Sequence, residues 1–381
     1  MAHFRFLTAG ESHGPALTAI LEGIPAGLRL DLEKINRDLA RRQQGYGRGG
    51  RMKIETDKAE ILSGVRFGET IGSPITIQVR NKDFVNWTDR MAAFGDPAGE
   101  KVTAARPGHA DLVGVKKYDR EDIRDILERS SARETTMRVA AGAVAKQFLA
   151  ALGIEISSRV LNIGGVRADA DKRQGNEGSE LNCRDAEAEE RMKTKIREAK
   201  EAGDTLGGVF EVTVTGAPVG LGSHIQWDMR LDARLAAAMT SIQAIKGVEF
   251  GEGFGYAELP GSLAHDEMFF DEDGRVVRKT NHAGGLEGGM TNGEPIVIRA
   301  VMKPIPTLMK PLHSVDIATN QPVLASKERS DVCAVSAASV VGEAMTALTI
   351  AAAVTEKFGC DAMGDLLRVM ADYHGRLQKQ D

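Results

Sequence analysis

Residues 41–53 read RRQQGYGRGGRMK, four arginines and a lysine among glycines, in a chain whose formal net charge at pH 7 is −5. Gly45, Gly47, Gly49 and Gly50 allow positive φ and let N–H groups approach an anion closely. Arg42, Arg48 and Arg51 add permanent charge with forked donors that match carboxylate and phosphate. The stretch reads as an anion cradle. GRGGR also resembles the RGG segments that bind RNA, and a plain solvent loop is the bland alternative. A single copy in an acidic chain, with no basic face or interleaved aromatics, argues against nucleic acid.

Two histidines turn the reading toward catalysis. GESHG (residues 10–14) puts His13 in a glycine-flanked turn after an apparent strand, and RPGHADL (residues 106–112) puts His109 after a Pro-Gly turn near Arg106. A histidine changes charge near neutral pH and, protonated, can give its proton to a leaving group. In ERSSARETTMR (residues 128–138), Arg129 and Arg133 stand four apart, as on one helical face. Ser130 and Ser131 can cap a helix whose free N–H groups attract phosphate. Farther on, NHAGGLEGGMTNGEPI (residues 281–296) precedes a strand, KPIPT (residues 303–307) makes a rigid loop able to hold a flat ring edge, and ERSD sets Arg329 two residues from Asp331. No Walker A sequence, dinucleotide fingerprint or metal-ligand spacing occurs. The residues point to an enzyme site for a small, multiply anionic, phosphorylated substrate and leave the reaction open.

The elements that must position these residues are mixed. Alternation predicts strands at Ile75, Ile77 and Val79, at Phe210, Val212 and Val214, and at Ile296 with Ile298. Helical spacing appears over residues 122–152, 228–245 and 331–358, with Gly153, Gly247 and Gly359 as stops. Gly64, Gly68, Gly72, Pro74, Ile75 and Ile77 recur at one constant spacing as Gly285, Gly289, Gly293, Pro295, Ile296 and Ile298. Glu128, Arg129 and Ser130 recur as Glu328, Arg329 and Ser330, and Gly142 as Gly342 in the helix that follows. The expected fold is therefore α+β: one domain over residues 1–381, with two similar sheet and helix layers face to face and repeat halves at roughly 60–150 and 282–358. Residues 167–205 are rich in charge and read as a solvated excursion with a short amphipathic helix over 185–202, and residues 92–101 read as a loop.

Composition fits a globular enzyme. The 42 glycines against 5% aromatic residues promise special backbone geometry and few stacking sandwiches. Cys183, Cys333 and Cys360 show no disulfide or zinc spacing, which suits a reducing, cytoplasmic setting. The N-terminus has no apolar signal region, and the long apolar run of residues 332–354 carries Glu343 among Ala, Ser, Thr and Val, so it suits a packed core helix better than a membrane span.

GESHG, the RRQxGYGRGxRMxxExDxxxxxSG block, RPGHAD, ERSSARET, SIxAIKGVEFGxGF, the NHAGGxxGGxTNGxPI block, KPIPT and ERSD occur here in order over nearly the whole chain. In these motifs the sequence resembles chorismate synthase. The resemblance implies a β-α-β sandwich with internal pseudo-two-fold symmetry, a homotetramer, and a lyase that converts 5-enolpyruvylshikimate 3-phosphate to chorismate and phosphate, requiring reduced FMN. Substrate and flavin together would bring about −5 to −6 charges into one cavity, repelling each other by several kcal/mol at short range. Carried over by matched motif, Arg42, Arg48, Arg51, Arg106 and Arg133 would bind the substrate's anionic groups. FMN would be held by Arg129, Ser130, Ser131, Gln243, Ala244, Gly288, Lys303, Pro304, Ile305, Pro306, Thr307 and Arg329. His13 would protonate the departing phosphate, His109 would steady the reduced flavin, and Asp331 would help the flavin N5 take the ring proton. NADPH or an external flavin reductase would supply the electrons, an outside supply being the reading favoured here. The alternative to such a lyase is a histidine-dependent phosphohydrolase of an anionic metabolite.

Overall fold

A computed structural model describes residues 4–50, 55–328, 330–359 and 361–378. Arg51, Arg329 and Cys360 lie outside the described residues. The first half opens with β1 (Arg5–Ala9) and β2 (Ala16–Glu22), which flank the GESHG turn. Next come α1 (Leu32–Gln43), β3 (Glu60–Ile61) and β4 (Ile75–Arg80). These four strands form an antiparallel sheet in the order β1-β2-β4-β3. Two short helices, α2 (Asp111–Tyr118) and α3 (Arg124–Ser130), lead into α4 (Thr135–Ala150).

The second half contributes β5 (Glu155–Ile163), β6 (Val166–Arg167), α5 (Ala186–Glu201), β7 (Gly208–Thr215), α6 (Leu231–Thr240), β8 (Ile245–Phe250) and β9 (Ile296–Met302). Its sheet is also antiparallel, in the order β8-β9-β7-β5-β6. The long helix α7 (Val335–Phe358) and α8 (Met363–Gln378) close the chain.

Side-chain size explains the layering. β4 turns Ile75, Ile77 and Val79 inward and sends Thr76 and Gln78 the other way, the period-two pattern of a half-buried strand. α4 packs on this sheet and α7 on the second one, with the two helices against each other between them. Such a layer needs small residues. A Cβ placed on Gly142 of α4 would lie 2.4 Å from the Cβ of Ala344 of α7, and one on Gly342 would lie 2.6 Å from the Phe210 ring. Because α7 is covered on all sides, its apolar length, sufficient to cross a membrane, serves as core. Each large apolar side chain fully buried there, such as Phe148 or Phe210, contributes about 1.5–3 kcal/mol.

Glu343 is the charged exception inside α7. Arg41 Nη2 donates to its Oε1 at 2.7 Å, Lys146 Nζ to Oε2 at 2.7 Å and Ser158 Oγ to Oε1 at 2.7 Å. Burial alone would raise its pKa, but the Arg41 hydrogen bond and the Lys146 and Arg41 charges overcome this and bring it down to about 2.

Several expected boundaries shift. Residues 122–152 do not form one helix, because Ser131 is extended at ψ 141° and breaks the chain between α3 and α4. The helix expected over 228–245 stops at Thr240, and Gly247 lies inside β8 beside a register shift instead of ending a helix. Gly153 and Gly359, at φ +79° and +68°, do follow their helices. Residues 167–180 are mostly exposed and the helix expected over 185–202 forms as α5, but residues 181–205 are not a solvated excursion. Asp185 caps α5 through the Ala188 N–H, and Leu181, Cys183, Ala188, Met192 and Ile196 are buried in the core.

One local arrangement occurs twice. Thr70 Oγ1 accepts the Leu28 N–H at 2.9 Å and donates to the Pro25 carbonyl at 2.6 Å. Thr291 Oγ1 accepts from Leu221 at 2.8 Å and donates to Pro218 at 2.6 Å. GIPAGL (residues 23–28) and GAPVGL (residues 216–221) supply the partners.

Candidate active site

A cavity of about 520 Å³ opens where the GESHG turn, the loop after α1, the turn before α2, the α3–α4 break, the KPIPT loop and the start of α7 converge. His13, His109, Arg42, Arg48, Arg106, Arg133 and Asp331 all lie on its wall. Ser130, Ser131, Gln243, Ala244, Lys303, Ile305, Pro306 and Thr307 line it as well. α7 contributes an apolar side through Ala337, Ala338 and Val341.

Three of the expected residues that are described sit elsewhere. Pro304 is in the KPIPT loop but off the wall, and Gly288 forms the turn of the Leu286–Glu287 and Met290–Thr291 hairpin at φ +58°. Arg129 donates to the Thr8 carbonyl and hydroxyl and to the Gly10 carbonyl, and borders a separate open pocket with Glu134 and Arg138. The cause is the break at Ser131: Arg129 and Arg133 no longer share a helical face.

Arg133 is buried, where Nη1 donates to Asp57 Oδ1 at 2.7 Å and Nε donates to Asn81 Oδ1 at 2.9 Å. Asp57 Oδ2 accepts from Arg42 Nη2 at 2.8 Å, so one carboxylate holds two guanidinium groups. Burial would raise the pKa of Asp57, and the charges of Arg42 and Arg133 hold it low. Arg42 is pushed down to about 10, first by burial and then by repulsion from Arg133 and Arg48, with Asp57 opposing. Its Nε has no hydrogen-bond partner among the described residues. Positive charge is thus held in a desolvated wall that an anion would stabilise.

Gly49 and Gly50 line the cavity, and the glycines of this loop also allow close packing. A Cβ on Gly45 would meet Ser336 Oγ at 2.4 Å, one on Gly47 would meet Ile196 at 2.8 Å, and one on Gly49 would meet the Ser330 carbonyl at 2.8 Å. The Gly47 carbonyl accepts the Val332 N–H at 2.8 Å. These glycines let the loop press against α5 and the entry to α7, and that contact aims Arg48 into the cavity.

Each histidine has a carboxylate behind Nδ1. His13 Nδ1 lies 2.9 Å from Glu128 Oε1, and Trp87 lies against the ring with centroids 4.1 Å apart. His109 Nδ1 lies 2.5 Å from Asp111 Oδ1, while Arg106 donates through Nε to Asp111 Oδ2 at 2.8 Å and through Nη1 to Thr307 Oγ1 at 3.1 Å. Burial opposes ionisation of Asp111, yet the hydrogen bonds from His109 and Arg106 hold it well below the usual carboxylate range. Lys303 Nζ donates to the Gly108 carbonyl at 2.6 Å, and Lys303 N to the carbonyl of Ala244, itself at φ +68°. The first-half turn and the second-half loop are so tied into one wall.

The family model for chorismate synthase matches residues 4–355. The chain belongs to the chorismate synthase family. A chorismate synthase from Geobacter sulfurreducens is 59% identical, with 98% of each chain covered, and chorismate synthase 1 from Bacillus cereus is 56% identical, with 97% and 98% covered. A crystal structure of chorismate synthase superposes with a TM-score of 0.80 at 46% identity, covering 99% of this chain and 98% of that one. The protein is accordingly an enzyme of the chorismate-forming lyase type, acting on a small molecule. Its chorismate synthase motifs also contained what the sequence reading passed over: Asp57 within the ExD of the arginine block, Asp111 within RPGHAD and Glu128 within ERSSARET. Trp87 and Asn81 stood in no quoted motif, and only the fold brings them to His13 and Arg133.

Proposed function

We propose that the protein eliminates phosphate 1,4 from 5-enolpyruvylshikimate 3-phosphate to give chorismate, with reduced FMN, as the last common step of the shikimate pathway of aromatic amino acid biosynthesis. The observation that carries this reading is that four arginines, two carboxylate-backed histidines and Asp331 share one cavity wall. The substrate's two carboxylates and phosphate need such a set of guanidinium groups. Arg42, Arg48, Arg106 and Arg133 would neutralise them and offset their mutual repulsion.

FMN fits the residues present. Ser130, Ser131, Thr307 and Lys303 supply donors suited to a phosphate, and α7 supplies an apolar side for a flat ring. Gln243 Oε1 is buried with no hydrogen-bond partner among the described residues, an acceptor suited to a ring N–H. Arg51, Arg129, Gly288, Pro304 and Arg329 enter the proposal through the family resemblance alone. Reduced flavin supplies electron density as the C–O bond breaks. His13 gives a proton to the oxygen of the departing phosphate, His109 presents a proton donor held by Asp111, and Asp331 assists removal of the ring proton. One C–H and one C–O bond are lost and one C=C bond forms, without net redox change.

The same resemblance implies a homotetramer, the cysteine pattern suits a cytoplasmic setting, and the lack of a dinucleotide fingerprint in the sequence favours an external flavin reductase over reduction by the protein itself with NADPH. The pseudo-two-fold repeat is supported by the like strand orders β1-β2-β4-β3 and β5-β7-β9-β8 and by the paired Thr70 and Thr291 bonds. Incubation of protein, substrate and dithionite-reduced FMN, with products separated by chromatography, should yield chorismate. A product mixture without chorismate contradicts the proposal.

A further inference from the structure

The His13 imidazole is held from two directions. Nδ1 lies 2.9 Å from Glu128 Oε1 and 3.1 Å from Oε2, and the His13 backbone N–H donates to Glu128 Oε2 at 2.7 Å. Trp87 covers a ring face at 34° between planes, and the Arg124 guanidinium lies 4.9 Å from the Trp87 ring centroid. Arg124 Nη1 also donates to Glu128 Oε1 at 3.1 Å, so the oxygen nearest His13 Nδ1 is held by the guanidinium as well. Glu128 is 3% exposed and does not line the cavity, whereas His13 does.

Burial would favour a protonated Glu128, but its hydrogen bonds to His13 and the pairing with Arg124 hold it below the ordinary carboxylate value. An ionised carboxylate only accepts, so Nδ1 must be the donor of that bond. This sets the tautomer, as a carboxylate behind a histidine does in other acid–base sites. The same carboxylate is the countercharge for the ring when it carries two protons.

We propose that Glu128 is the positioning residue for His13: it fixes the Nδ1 side of the imidazole so that proton delivery to the departing phosphate occurs from Nε2. The inference rests on His13 being the proton donor of the proposed reaction. The proton moves from Nε2 to the phosphate oxygen whose bond to carbon breaks, the electrons of that bond leave with the oxygen, and Glu128 makes or breaks no covalent bond.

A double-mutant cycle tests this, with kcat measured for the parent, Glu128→Gln, His13→Ala and the double variant, and substrate Kd measured by calorimetry with oxidised FMN. Glu128→Gln should lower kcat about 10- to 100-fold, the usual cost of losing a group that orients a site residue, while substrate Kd stays within about twofold. In the His13→Ala background the same change should cost nothing further, because Glu128 acts through His13. A parental kcat in Glu128→Gln, or losses that multiply in the double variant, overturns the positioning role and leaves the proton-donor role of His13 standing. A parental kcat in His13→Ala overturns the proton-donor reading itself, and this inference with it. If Glu128→Gln lacks a cooperative melting transition, Glu128→Asp, which keeps the charge but withdraws it from Nδ1, is placed in the cycle with the same expectations.

Discussion

Asp331 Oδ2 lies 3.1 Å from Nε of Arg48, and its Oδ1 accepts the Gly49 N–H at 2.6 Å. Residues separated by most of the chain therefore form one device, an arginine aimed into the cavity and the carboxylate that keeps it there. The cradle from the first half is completed by the entry to α7 in the second.

Arg48→Ala should weaken substrate binding about 10- to 100-fold, the loss expected for one charge-assisted contact, with FMN affinity kept within about threefold. Titrations of each ligand, followed by flavin absorbance, check it. Collapse of flavin affinity would mean that Arg48 serves the cofactor.

His13→Ala and His109→Ala should each slow turnover by about 10² to 10⁴, the reach of acid–base and charge terms. Rates measured at saturating reduced FMN and substrate decide it for each histidine separately. A parental rate removes that residue from the chemistry.

Glu343 ties stability to acid. Its folded-state pKa is lowered from 4.5 to about 2, so its contribution is complete above pH 4.5 and is lost as pH falls toward 2. Glu343→Gln leaves Asp38 as the remaining countercharge of Arg41 and Lys146, a loss of about 1–3 kcal/mol at neutral pH. Denaturant titrations of parent and variant should show a gap that is full at pH 6 and closes below pH 4.5. A gap independent of pH would contradict this account of the buried cluster.

Two glycines should respond oppositely to alanine. Gly142→Ala forces α4 from α7 and should cost about 1–3 kcal/mol. Gly375, inside α8, would place a Cβ more than 4 Å from any described heavy atom apart from its chain neighbours and its own helix backbone. Gly375→Ala should stabilise by about 0.5–1 kcal/mol. Thermal melts of both variants test the pair, and equal effects would contradict the packing described.

The strands were legible because Ile75, Ile77 and Val79 alternate with polar residues and the second sheet repeats the pattern. Ser131 was not, since a helix break between two good helix-forming stretches carries no Gly or Pro. The helix over 185–202 was legible as amphipathic, but the charge of residues 167–205 concealed that its Ala188, Met192 and Ile196 join the core behind the arginine loop. At the site, the types able to contact an anion were readable one by one. What places them was not, because the pairing of Asp57 with both Arg42 and Arg133, or of Trp87 with His13, depends on contacts distant in sequence.

The most direct test is anaerobic, with protein, 5-enolpyruvylshikimate 3-phosphate and photoreduced FMN, following chorismate absorbance and phosphate release together, against the same mixture with oxidised FMN. The account predicts equal amounts of both products with reduced FMN and neither with oxidised FMN. Phosphate without chorismate, or release in either flavin state, would contradict it and make the site a phosphohydrolase.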